Sequence, residues 1–280
     1  MKDLQKKIEL ARKTVMQSDA ILITAGAGMG VDSGLPDFRG NDGFWREYPP
    51  IKKLGLSFSQ MANPTWFEID PNLAWAFYGH RLNLYRNTTP NNGFYHIINY
   101  IKKTKKESFV FTSNVDGQFQ KSGFLENRII ECHGSIHYFQ CSKCCSGEIW
   151  SAKNIKIDID KENFKVKGEM PFCNRCGLVA RPNILMFSDV EFIPTKVDEQ
   201  YERFEKWLTK TKLENKKLVI IEIGAGEAVP TVRNLSESIA LNRYNTTLIR
   251  INPRDFEIPD GHISLPLGGL EAISKIFKSL

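Results

Sequence analysis

No run in this chain is apolar for long enough to cross a bilayer, and its first residues lack the continuous apolar core of a secretory signal. No membrane partner is therefore expected, and a cytoplasmic location is the default expectation. Cysteine is scarce, with six thiols among 280 residues. In such a chain they are expected as metal ligands or free thiols rather than as a disulfide framework. The formal charge of +6 is modest for this length. Lysine clusters occur only at Lys102-Lys103, Lys105-Lys106 and Lys210 to Lys217, where they read as solvated faces. Internal repeats, low-complexity segments and RNA-binding signatures are missing, so no specific nucleic-acid partner is expected.

A substantial core is present instead, because 41% of the residues are apolar. One main domain with a small insertion is the natural expectation. Four apolar runs read as buried parallel strands: Ala20 to Ala25, Ser108 to Thr112, Leu218 to Ile223 and Thr247 to Ile251. Helical segments are expected over Leu73 to Arg86, Phe94 to Lys103, Tyr201 to Leu213, Val232 to Leu241 and Leu270 to Leu280. An amphipathic helix over Met1 to Gln17 would have Leu4, Ile8, Leu10, Ala11 and Val15 on its apolar side. The alternation predicts an α/β fold: a doubly wound, mostly parallel Rossmann-like sheet with a small zinc-binding domain and a helical insertion. Residues 1–42, 72–136 and 180–280 fall to the Rossmann-like domain, 43–71 to the insertion and 137–179 to a zinc-ribbon-like unit. Aromatics of the insertion (Phe44, Trp45, Tyr48, Trp66, Phe67) suit a small core, with Trp45 the candidate for a lid.

After the first strand comes Ala25-Gly26-Ala27-Gly28-Met29-Gly30, followed by Ser33-Gly34-Leu35-Pro36-Asp37-Phe38-Arg39-Gly40. Glycines let the backbone turn tightly against a pyrophosphate, whose charge the following amides receive. The second strand leads into Ser113-Asn114-Val115-Asp116-Gly117, and Glu131-Cys132-His133-Gly134 precedes the first cysteine pair. Cys141 and Cys144, with Cys173 and Cys176, make two CxxC turns. Together they supply a closed set of four thiolates for a structural zinc. Cys145, at a CxxxC spacing, is the alternative to the preferred Cys144. Cys132 belongs to no pair and reads as a small buried apolar side chain.

The order of these motifs, through Arg181-Pro182-Asn183-Ile184-Leu185-Met186-Phe187, resembles that of the sirtuins, NAD-consuming protein deacylases, over roughly residues 18 to 255. The resemblance implies NAD as co-substrate, structural zinc and acyl-lysine proteins as substrates. It assigns Gly26, Ala27 and Gly28 to the pyrophosphate, and Asp37, Phe38 and Arg39 to the nicotinamide-ribose side. Gly224, Ala225 and Gly226 would lie near the adenosine, and Asn252 by the adenine ribose. Asp116 would bind the carboxamide, Asn114 would position ribose and a water, and His133 would be the general base. An acyl oxygen would attack C1′ as nicotinamide leaves, His133 would deprotonate the 2′-hydroxyl, and water would release the amine and O-acyl-ADP-ribose.

Tyr78 and Arg81, spaced i, i+3, project from one helix face. They match a Tyr-x-x-Arg pair that grips acidic acyl groups in desuccinylating and demalonylating sirtuins. Phe187 would join them as a substrate residue. Four positions depart from the family pattern: Gly30 for serine, Ser113 for glutamine, Gly226 for serine and Ser188-Asp189 for Gly-Glu. They leave a sirtuin-type ADP-ribosyltransferase or NAD hydrolase as the alternative activity.

Overall fold

Strands that are apolar on both faces need helices on both sides, and this chain builds that arrangement. The computed structural model describes residues 2–37 and 40–277. Its strands are β1 (Ala20–Ala25), β2 (Glu107–Thr112), β3 (Ile129–Glu131), β4 (Gly134–Cys141), β5 (Ile149–Ser151), β6 (Asp158–Asp160), β7 (Lys165–Lys167), β8 (Ala180–Ile184), β9 (Leu218–Ile223), β10 (Thr246–Ile251) and β11 (Ile263–Leu265). Six of them form one parallel sheet in the order β11-β10-β9-β1-β2-β3. From β1 the chain winds outward through β2 and β3, then returns to the other side of β1 for β9 to β11. The reversal lies between β1 and β9, where an open sheet leaves a crevice beyond the strand C-termini.

Side-chain alternation sorts the sheet residues onto two faces. Ile21, Ile23, Val219, Ile221 and Ile249 pack against helices Lys2–Gln17, Asn92–Thr104 and Gly269–Phe277. Leu22, Phe109, Phe111, Ile220 and Leu248 face helices Thr195–Leu213 and Thr231–Asn242. In the first helix Ile8, Ala11 and Val15 are buried as expected, whereas Leu10 is 53% exposed. At 100° per residue it turns out of the stripe that the other three define. Among the described residues, no helix is long and apolar enough to cross a membrane.

A third core lies beside the sheet. Phe44, Tyr48, Ile51, Met61 and Phe67 of the insertion pack with Trp75, Phe77 and Tyr78 of helix Pro71–Asn87 and with Ile136, Phe139 and Phe164. That helix thus shares its core with the insertion and with the small antiparallel sheet β5-β4-β8. Phe44, Tyr48 and Phe67 of the insertion are buried core residues, and Trp45 and Trp66 are half-buried against them. The Trp45 indole N–H donates to the Leu56 carbonyl at 2.7 Å.

The loop after β8 is fixed by a charge pair. Both Arg181 Nη groups reach Asp189, at 2.7 and 2.8 Å, and both side chains are fully buried. Asp189 also accepts from the amides of Met186 and Glu191. Replacing Asp189 alone would leave a buried guanidinium without its counter-charge. Asp189→Ala is expected to cost about 3–5 kcal/mol in urea unfolding; a loss under about 1 kcal/mol would contradict this role.

Candidate active site

The site begins where two turns touch. The Gly26 amide donates to Ile223 O at 3.0 Å, and the Gly28 amide to Gly224 O at 3.1 Å. A Cβ on Gly28 would lie 2.6 Å from Gly224 Cα, and Gly224 itself has φ +61. Side chains are excluded at this junction, so a ligand can approach the backbone of the turns closely. Above it opens a cleft of about 840 Å³, lined by Gly26, Ala27 and the Gly224-Ala225-Gly226 turn. Asp37, Asn114, Asp116 and His133 line the same space, as do Tyr78, Arg81 and Phe187. Gly28 backs Gly224 rather than lining the cleft. Phe38 and Arg39 lie outside the described residues.

The end of β2 is stitched to β1. Thr112 Oγ1 donates to Ala25 O at 2.9 Å and accepts from the Asn114 amide at 3.0 Å. Asn114 Nδ2 donates to Gly26 O at 3.0 Å, which turns its carbonyl oxygen away from the turn. Asp116 Oδ1 accepts from the Gln118 amide at 2.9 Å. Burial lifts the Asp116 carboxyl to about 6, although that amide and the Arg81 charge oppose the rise.

His133 sits at the joint between the large sheet and the small one, since β3 ends at Glu131 and β4 starts at Gly134. Gly134 adopts φ +76, and a Cβ there would stand 2.2 Å from Asn183 O. Only glycine lets the chain change sheets at this point. Burial pushes the His133 pKa below its ordinary value, partly offset by a hydrogen bond to the Ser113 backbone. The ring is thus neutral near pH 7, as a general base must be. Thr231 Oγ1 lies 3.4 Å from its Nε2.

The β4–β8 register shifts between Ser135 and Phe139. Within this irregularity the Ile136 amide donates to Val115 O, and His137 Nε2 lies 2.9 Å from Asp116 O. An irregular strand thereby reaches across to hold the Asn114–Asp116 loop. Thr231 and His137 were not singled out by the sequence, because neither belongs to a motif and each acts through the tertiary fold; Glu131 stands in the segment with His133, which assigns it no role.

One assigned residue has another place. Asn252 is fully buried, donates to Ala225 O at 2.8 Å and accepts from the amides of Arg254 and Asp255. Its polar atoms are spent bracing the β9 and β10 turns, so it does not line the cleft. Arg254 does, paired with Asp37 at 3.0 Å.

The metal set also needs correction. Sulfurs of Cys141, Cys145, Cys173 and Cys176 lie within 4.8 Å of one another, and Cys144 is outside the group. Cys144 has φ +50, and its amide closes a turn onto Cys141 O. That left-handed residue takes up the turn, and the next residue brings its thiol back toward Cys141. The distances Cys141–Cys176, 3.5 Å, and Cys145–Cys173, 3.6 Å, are far too long for disulfides. They approach the edge of about 3.8 Å in a tetrahedron with metal–sulfur bonds of about 2.3 Å. Four thiols with no place for water fit a structural zinc.

Two measurements check these placements. Cys145→Ser is expected to lose bound zinc in metal analysis while Cys144→Ser retains it; the opposite result would restore the CxxC reading. Glu131 is buried beside this loop, and desolvation lifts its carboxyl to about 7 against the charge of Lys196 and hydrogen bonds from Ser135 and Gln120. A raised carboxyl favours the folded state fully below about pH 4.5, and that contribution is lost as pH rises through 7. Glu131→Gln should therefore gain on wild type, by on the order of 3 kcal/mol, between pH 4.5 and 8 in denaturant titrations. A constant difference would refute it.

The Sir2 family model matches residues 26–210. An NAD-dependent protein deacylase of Pyrococcus abyssi is 32% identical over 65% of this chain and 66% of its own length. NAD-dependent protein deacylase 1 of Caldanaerobacter subterraneus subsp. tengcongensis is 26% identical over 95% of this chain and 96% of its own. A mutant Sir2 homologue solved as an ADP-ribose complex superimposes with a TM-score of 0.70 at 23% identity, covering 96% of this chain and 95% of that one. The likeness thus extends over the sheet, the insertion and the four-cysteine unit, and the chain belongs to the Sir2 family.

Proposed function

We propose that this protein is an NAD-dependent protein-lysine deacylase that releases nicotinamide and an O-acyl-ADP-ribose. The observation that carries this reading is a neutral imidazole, His133, lining the same cleft as Asn114, Asp116 and the paired glycine turns at the strand-order reversal. Dinucleotide binding alone has no need of a base there.

The residues divide the work by chemistry. The first turn, through the Ala27 amide, receives the pyrophosphate, and the Gly224–Gly226 turn flanks the adenosine. The Gly26 and Gly224 amides are spent on Ile223 O and Ile251 O, with Gly28 and Asn252 holding that junction from behind. Asp116, ionised above about pH 6, accepts hydrogen bonds from the carboxamide. Asn114, with its amide nitrogen committed to Gly26, offers its oxygen to a ribose hydroxyl or a water. NAD supplies the electrophilic sugar carbon. His133 takes the hydroxyl proton: the O–H bond breaks, an N–H bond forms, and the oxygen is freed to attack the acyl carbon. The cysteine tetrad holds zinc away from this chemistry and stabilises the small sheet.

Tyr78 and Arg81 support a preference for acyl groups that end in a carboxylate. The Tyr78 hydroxyl is buried without a hydrogen-bond partner, although Tyr78 lines the cleft. The Arg81 guanidinium lies 5.3–6.0 Å from the ring centres of Phe58, Phe77, Tyr78 and Tyr85 and donates to the Tyr85 hydroxyl. A succinyl or malonyl carboxylate would satisfy the phenol and meet a cation in a dry pocket.

Mass spectrometry of products from NAD and a panel of acyl-lysine peptides tests both levels. O-acyl-ADP-ribose is expected, with succinyl-lysine turned over faster than acetyl-lysine. Arg81→Met should lower succinyl turnover roughly 10- to 100-fold, the worth of a hydrogen bond to a charged group, and spare acetyl turnover. Equal loss on both substrates would defeat the acidic-acyl assignment. Free ADP-ribose or ADP-ribosylated protein as the sole product would replace deacylation with NAD hydrolysis or ADP-ribosyl transfer.

A further inference from the structure

Once His133 takes a proton, its ring has two N–H donors, and each needs an acceptor in a largely desolvated place. The Ser113 backbone is one partner, and its hydrogen bond favours the charged ring. Among the described residues, no carboxylate belongs to the groups that perturb His133. A hydroxyl faces the ring: Thr231 Oγ1 lies 3.4 Å from Nε2. Thr231 opens the helix Thr231–Asn242, directly after a segment whose residues 224–229 line the cleft. The cleft wall itself thus sets the hydroxyl against the imidazole.

We propose that Thr231 is a positioning residue for the base, its hydroxyl holding Nε2 of the neutral ring and then accepting from Nε2–H of the imidazolium. A hydroxyl can do both by rotating about its C–O bond. Because Nε2 faces Thr231, Nδ1–H is assigned to the Ser113 backbone, and the neutral ring then carries its lone pair at Nε2. The separation of 3.4 Å is near the outer limit of a hydrogen bond. An incoming sugar hydroxyl therefore takes over that lone pair at small cost. Its proton moves to Nε2, and the threonine oxygen remains as an acceptor. Thr231 gives up no proton in this step.

The assignment rests on the deacylase reading for its kinetic consequence but not for its effect on the ring. The test compares Thr231→Val and Thr231→Ser with wild type by three readouts. These are NMR titration of the His133 ring, the pH profile of O-acyl-ADP-ribose formation, and exchange of free nicotinamide into NAD with an acyl-peptide present. A hydroxyl that favours the imidazolium raises the His133 pKa, so Thr231→Val should lower it and move the acid limb of activity to lower pH. Turnover at neutral pH should fall roughly tenfold, as expected when a charged donor loses its partner. Exchange should be unchanged, because nicotinamide departs before the sugar hydroxyl is deprotonated. Thr231→Ser should behave as wild type. An unmoved ring titration, a parallel fall in exchange, or failure of serine to rescue would each overturn the proposal. Should wild type form no O-acyl-ADP-ribose, the deacylase reading falls, and the ring titration still decides whether Thr231 holds His133.

Discussion

The contact between two backbone turns, one after β1 and one after β9, organises the rest of the site. Because Gly28 and Gly224 meet without side chains, β1 and β9 run in register to their last residues, Ala25 and Ile223. Neighbouring strands are then tied to the same junction. The Gly224 amide donates to Ile251 O, and Asn252 reaches Ala225 O, which fixes β10. Thr112 and Asn114 donate to Ala25 O and Gly26 O, which fixes β2. Four strand ends are therefore held by a few hydrogen bonds around one close approach. A side chain at the junction would push apart every group meant to meet the dinucleotide.

The parts legible in the sequence are those set by local pattern. Central strands such as Ile21-Leu22-Ile23 and Val219-Ile220-Ile221 are apolar at every position because both faces are covered, and such runs announce themselves. The edge strands β3 and β11 have three residues each, too short for any periodicity to register. The motif residues around the cleft, including Asn114, Asp116 and His133, could be found because of the order of motifs that the chain shares with the family, no single fragment being telling by itself. Asn252 shows the limit of that logic. Its position at the end of β10 was readable, but whether its amide faces the ligand or braces the turn depends on Ala225, 27 residues away in sequence.

The cysteines show the same limit at closer range. Spacing alone favours CxxC, since two thiols separated by two residues can share a metal. The choice between Cys144 and Cys145 turns on a single left-handed φ, at Cys144. Backbone conformation of this kind, with the Cys144 amide closing onto Cys141 O, is not written in the side-chain pattern.

Where the chain departs from the family pattern, the fold explains why the change is tolerated. Ser113 lines the cleft, and its contribution to the His133 ring comes from its backbone, which any side chain at that position would keep. Gly30 lies against Leu35, whose Cδ1 would be 3.2 Å from an added Cβ, and the absence of a serine there gives the leucine its space. Ser188 adopts φ +56, which glycine would take at no cost. The strain is held by its neighbour Asp189, clamped by Arg181 and by two backbone amides. The loop that carries Leu185 to Phe187 into the cleft is therefore shaped by a buried ion pair instead of by glycine. A bidentate pair of this kind fixes one loop conformation, so the substrate edge of the cleft is set before any peptide arrives.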